Sequence, residues 1–178
     1  MQRSSTVKTI IHFGDIHLRA ICSKVEVFHK GLHNKIDILA DTLERTGGGA
    51  ALAAPQISLL KQIIVINYHG EYFELVNPEI INGYGERSEY EGCLSLPGFF
   101  GKVKRYVKVK VKYQDRTGDS HIIEVENQMA RCFQHEIDHL NGILYIDRMS
   151  DEFVFNDETN EKIPVKHLLE LTKARLYT

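Results

Sequence analysis

Two histidines four residues apart, with a glutamate directly after the first, place the tightest constraint on the fold: His135-Glu136-Ile137-Asp138-His139. On a helix of 3.6 residues per turn, His135 and His139 project from one face, one turn apart, so both imidazoles can reach a single divalent ion. That face must be buried against whatever supplies the remaining ligand. Asn127 reads as the N-cap of this helix, and Asn141-Gly142 as its stop. Glu136 can take a proton from a water activated by such an ion without being a ligand itself, so the pattern points to hydrolysis.

A five-residue match of this kind also arises by chance, so a third ligand has to be found. Structural zinc sites close four positions with protein atoms, whereas catalytic sites use three and leave one for water. Cys93, in Glu91-Gly92-Cys93-Leu94-Ser95, is the best candidate: a thiolate binds zinc or ferrous iron strongly, and Gly92 permits close backbone approach. Cys22 has no ligand types beside it and reads as a small buried hydrophobe. Cys132 shares the helix face of His135 and His139, which leaves open a closed site of Cys93, Cys132, His135 and His139. Against that, Cys132 lies about 10.5 Å from His139 along the helix axis, which favours a role in the core or a pocket wall.

Three blocks resemble those of peptide deformylases in order and spacing: Gly49-Ala50-Ala51-Leu52-Ala53-Ala54-Pro55-Gln56, Glu91-Gly92-Cys93-Leu94-Ser95 and Gln134-His135-Glu136-Ile137-Asp138-His139. The resemblance runs from Gly14-Asp15-Ile16-His17-Leu18-Arg19 to Ile146-Asp147-Arg148 and is looser in the C-terminal tail. It implies that Cys93, His135 and His139 bind the metal, that Glu136 is the general acid/base, and that Gln56 with the backbone N–H of Leu94 stabilises an oxyanion. A side-chain amide suits the last role because it offers N–H donors at neutral pH without competing for the metal.

The implied reaction is hydrolysis of the formyl amide on N-formyl-methionyl nascent peptides, releasing formate. Ala50, Ala51 and Gly92 are expected along the substrate, with Cys132 and Met129 at the methionine pocket; Met129 and Phe133 either line that pocket or fill the core, and core packing is the default for either alone. Ala51 departs from the family pattern, which has glycine there. Its Cβ is harmless if the local backbone is extended and alters the cleft if it is not. The ligand set accepts Zn2+, Fe2+, Co2+ or Ni2+, and the resemblance points to Fe2+ in the cell. Two rival readings are a metallopeptidase cutting internal peptide bonds and a non-catalytic protein with a closed metal site.

The rest of the chain predicts an α+β fold: small, mainly antiparallel sheets around the motif helix, with an N-terminal and a C-terminal helix, in one catalytic domain over residues 1–178. Ile36, Leu39, Ala40 and Leu43 have helical spacing within His33 to Thr46, and the glycines at 47–49 end that helix. Gln62 to Tyr68 and Tyr72 to Val76 read as a hairpin turning at His69-Gly70 and stopped by Pro78. Val107, Val109, Val111 and Tyr113 alternate with Lys108, Lys110 and Lys112, a half-exposed strand whose lysine row reads as a solvated face. A turn at Asp115 to Asp119, a strand at Ser120 to Glu126 and another at Ile143 to Ile146 follow. Residues 150–162 are polar and acidic, and a helix is expected from about Val165 to Leu176.

With 178 residues the chain can bury roughly 70% of its unfolded surface and needs no disulfides. Three cysteines, one a proposed ligand, fit a reducing compartment. The polar start, Met1 to Lys8, shows no secretory signal or membrane span, so the expected location is the cytoplasm. A formal charge of −2 gives no general signal for nucleic acid, and no specific DNA binding is expected. Lys166, Lys173 and Arg175 on the last helix raise ribosome contact as a secondary expectation, diluted by Glu170.

Overall fold

The computed structural model describes residues 7–168. A 3-10 helix (Ile16–Arg19) precedes α1 (Lys30–Thr46), β1 (Ala51–Ala53), a 3-10 helix (Ala54–Ile57), β2 (Ile63–Tyr68), β3 (Glu71–Cys93), β4 (Leu96–Gln114) and β5 (Ser120–Glu126). Then come α2 (Asn127–Leu140), a 3-10 helix (Tyr145–Arg148), β6 (Phe153–Asn156) and β7 (Lys162–Pro164). Residues 165–168 are helical; the remainder of the expected C-terminal helix lies outside the described residues. The strands pair antiparallel in the order β1-β2-β3-β4-β6-β7, with β5 also on β4. Among the described residues no helix is long and apolar enough to cross a membrane.

The β-branched run of β2 explains the layering. Ile64 and Ile66 face α2 and pack with Ala130, Phe133 and Leu140, while Ile63 and Val65 face α1 and pack with Ile36, Leu39 and Leu43. A strand covered on both faces can be apolar on both, as Ile63 to Ile66 are; Asn67, beyond them, is exposed. A third cluster joins Leu96 and Val103 of β4 to Tyr145, Ile146, Val154 and Leu168.

Several boundaries differ from expectation for identifiable reasons. α1 starts at Lys30 rather than His33, because His29 serves as N-cap, its Nδ1 accepting the Leu32 N–H at 3.2 Å. Asn127 is not a side-chain cap; it takes φ +54°, a left-handed conformation that Asn tolerates, and turns the chain from β5 directly into α2. Pro78 does not stop β3. The register shifts between Val76 and Glu79, so the proline, which has no N–H, stands at a bulge and the strand resumes. Ile143 to Ile146 is no strand: the Asp147 carboxylate accepts the Leu144 N–H at 2.7 Å and folds the segment into the 3-10 helix. Strand β6 lies within the polar stretch where no strand was expected, anchored by the buried Val154, and its partner β7 begins at the end of that stretch.

Two lysines of β4, Lys104 and Lys108 (the latter from the alternating row), are ion-paired with neighbouring strands. Lys104 meets Glu86, and Lys108 meets Glu124 and Glu126.

Candidate active site

Cys93 closes β3 where the chain turns through Leu94 and Ser95 into β4, and Cys93 pairs with Leu96 across that turn. α2 crosses beneath, so the thiol meets both motif histidines. One potential ligand atom from each of Cys93, His135 and His139 lies within 4.8 Å of the others, and Cys93 Sγ is 3.3 Å from His139 Nε2. Cys132 is not in that cluster, which leaves no support for a closed four-ligand site. Instead it lines the cleft wall, and burial, with the Glu136 and Glu91 charges, pushes its thiol well up and keeps it protonated. Cys22 is buried in the core as expected.

The cluster forms the floor of a cleft of about 410 Å3, lined by Ala50, Ala51, Gln56, Gly92, Leu94, Cys132, His135 and Glu136 together with Tyr68, Tyr90, Phe99 and Phe100. Gly49 and Gly92 keep this cleft tightly walled: a Cβ at Gly49 would meet the Leu94 side chain at 2.6 Å, and one at Gly92 the Phe100 ring at 2.7 Å. Ala51 lies in β1 opposite Ile66, in extended backbone, so its methyl group causes no positive-φ strain. Met129 does not line the cleft. It packs with Phe133 in the core beneath.

Gln56 is buried and held in one orientation. Its Oε1 accepts the Ala53 N–H at 2.8 Å, which turns Nε2 toward Cys93 Sγ at 3.6 Å and Ser95 Oγ at 3.2 Å. Glu136 is buried, and its Oε2 has no hydrogen-bond partner in the protein. An orphaned carboxylate oxygen beside two imidazoles and a thiol suits a site built for a cation and the water it activates, and the three donors fit such an ion. Burial pushes the Glu136 carboxyl up to about 7, against the opposing pull of His135. It pushes His139 well down, with His135 and Arg105 adding to the effect, so that ring is neutral and free to ligate.

Behind the site lies an ion network. Glu91 accepts from His135 Nδ1 at 2.9 Å, from Arg105 Nε and Nη2 at 2.9 and 3.0 Å, and from Arg131 Nη1 at 2.7 Å. Burial works to raise the Glu91 pKa, but the bonds and charges of His135 and Arg105 overcome it and hold the carboxyl well below the ordinary range. A carboxylate on Nδ1 fixes that nitrogen as a donor and directs Nε2 toward Cys93; burial works to lower the pKa of this ring, but its bonds to Cys93 and Glu91 overcome that and hold it well up in metal-stripped protein. Arg105 also reaches Asp138 of α2, the residue before His139.

A model of the polypeptide deformylase family matches residues 7–153. The chain belongs to that family. It is 45% identical over 146 residues to the peptide deformylase of Heliobacterium modesticaldum, covering 82% of this chain and 96% of that one. A Thermoanaerobacter peptide deformylase is 40% identical over 168 residues, 94% of this chain and 98% of that one. Among solved structures, a peptide deformylase from Legionella pneumophila superposes with a TM-score of 0.80 at 35% identity, over 97% of this chain and 99% of that one. Another from Synechococcus elongatus, in complex with actinonin, gives 0.79 at 29% identity, over 99% and 93%.

In this deformylase, sequence reasoning named Cys93, His135, His139, Glu136 and Gln56, which the structure brings together, but passed over Glu91, Arg105, Arg131 and Asp138, which bond behind them. For Arg105 a signal existed. It shares the odd-numbered register of Val103, Val109 and Val111, the buried face of β4, and a cation there requires a buried anion.

Proposed function

We propose that Cys93, His135 and His139 hold one divalent metal ion, that Glu136 moves the proton, and that Gln56 Nε2 and the Leu94 N–H receive the negative oxygen. As a peptide deformylase, the chain removes the N-terminal formyl group from newly made polypeptides by hydrolysis, releasing formate. An ion held by those three side chains supplies Lewis acidity to water and to the formyl oxygen. Glu136 takes a proton from the attacking water as the new C–O bond forms at the formyl carbon. It then delivers that proton to the peptide nitrogen as the C–N bond breaks, leaving formate and a free amine. Gln56 is preorganised for the oxyanion because its carbonyl end is tied to Ala53, so no reorientation is needed when charge develops.

The observation carrying this reading is the convergence of a thiol and two imidazoles under a cleft that also contains Gln56 and Glu136. Ala50, Ala51, Gly92 and Cys132 border the space for the methionyl residue. Resemblance favours Fe2+ in the cell, with Zn2+, Co2+ and Ni2+ as alternative occupants of the same donor set. The chain acts as one catalytic domain, in the cytoplasm, with ribosome contact through its C-terminal helix as a further part of the proposal; Lys173 and Arg175 lie outside the described residues.

The test is formate release from formyl-Met peptides by iron-loaded protein, with Glu136→Gln alongside. The variant should keep its metal and lose at least ~10²-fold in rate. Wild-type turnover by Glu136→Gln refutes the role of Glu136, and cleavage of unformylated peptides at internal bonds favours a metallopeptidase instead.

A further inference from the structure

The 3-10 helix Tyr145–Arg148 lies against the ligand-bearing part of α2 at two points. The Tyr145 ring stacks on His135, with centroids 6.2 Å apart and planes 19° apart, and its hydroxyl donates to Phe99 O at 3.0 Å. Arg148 clamps Asp138 with a two-pronged grip, Nε to Oδ2 at 2.5 Å and Nη2 to Oδ1 at 2.7 Å. Asp138 Oδ2 also accepts Arg105 Nη1, and the other side of that guanidinium holds both oxygens of Glu91. Glu91 in turn fixes His135 Nδ1. The path therefore runs from a partly exposed arginine, through alternating buried charges, to a ligand imidazole. Arg148 is 45% exposed whereas Asp138, Arg105 and Glu91 are each under a tenth exposed.

We infer that Arg148 is a positioning residue for the metal site, acting through Asp138, Arg105 and Glu91 on the orientation of His135. This rests on the metal-holding roles proposed above. Asp138 is shared between two guanidiniums, so Arg148 sets how the carboxylate is aimed and therefore where Arg105 sits. Arg105 spans Asp138 and Glu91 with one rigid planar group, so it cannot follow a displaced Asp138 without altering its grip on Glu91. Partners of ligand histidines typically change metal affinity by ~10–100-fold when removed. Loss of the outermost link belongs at the lower end of that range.

The experiment follows Co2+ release from the Co2+-loaded full-length protein to excess chelator, read by the visible thiolate–cobalt absorption. Arg148→Met should release the ion about tenfold faster than wild type, with Arg148→Lys in between, because lysine keeps the charge and loses the fork. The thermal midpoint of metal-stripped Arg148→Met should stay close to that of stripped wild type, which separates positioning from general loosening. Arg19→Met is the control. It breaks the exposed Arg19–Asp147 pair on the same 3-10 helix without touching Asp138 and should leave the release rate unchanged. Equal rates for wild type and Arg148→Met overturn the inference, as does equal acceleration by Arg19→Met or a fall in the stripped midpoint that accounts for the faster release. A wild-type chain that takes up no Co2+ at Cys93 overturns the metal-site reading itself.

Discussion

Glu136 carries opposite consequences for chemistry and stability. Its carboxyl is pushed up to about 7 by burial, from an ordinary 4.5. In metal-stripped protein the folded chain therefore keeps a proton that the unfolded chain releases between pH 4.5 and 7. Stability falls as pH rises through that window, and the loss is complete above it. Glu136→Gln should remove the loss. Urea unfolding of the stripped proteins should show the variant gaining stability progressively up to pH 7, by a few kcal/mol in order of magnitude, and holding that gain at higher pH. Gln56 predicts the reverse pattern. Gln56→Ala should cost about 10²–10³-fold in kcat for formyl-peptide hydrolysis with little change in metal content, because it removes a donor to developing charge and no ligand. A metal content that fell in step with kcat would place Gln56 among the structural supports of Cys93 instead.

The β3–β4 hairpin and α2 build the site by clamping each other through buried charge. Arg105 joins Glu91 on β3 to Asp138 on α2, and Arg131 joins Glu91 to the Val103 carbonyl on β4. Removing one partner of such a network leaves uncompensated charge in the interior. Arg105→Leu should cost about 3–5 kcal/mol by urea unfolding, far more than loss of the exposed Lys104–Glu86 pair. Gly142 ends α2 at φ +69°, and a Cβ there would collide with the Arg19 carbonyl. Gly142→Ala should cost about 1–3 kcal/mol and loosen the packing of the N-terminal 3-10 helix on α2. At this scale the sequence was legible where periodicity was regular: α1, the β2–β3 hairpin, β5 and the extent of α2. It misled where one side chain redirected the backbone, as Asp147 does for the segment read as a strand and as the bulge at Asn77-Pro78 does for the strand read as stopped.

Across the whole molecule, the described C-terminal segment belongs to the fold. β7 pairs with β6, and Leu168 packs with Leu96, Val103 and Tyr145 in the cluster behind the cleft. A chain truncated after Leu168 should therefore retain formate release, whereas one truncated after Asp157 should lose thermal stability. A ribosome-pelleting test needs the longer truncation product so that lost binding is not lost folding. The sequence by itself offered the candidate groups: His135, Glu136 and His139 through their spacing on one helix, and Cys93 and Gln56 through blocks that resemble the family's, because helical phase, ligand softness and the amide group are properties of single residues or short segments. Tertiary structure alone decided what holds those groups in place. Glu91, Arg105, Asp138 and Arg148 come from four separate elements, and their value lies in desolvated contact across them. A charged residue in a sequence reads as solvated until the fold removes its water and supplies its partner.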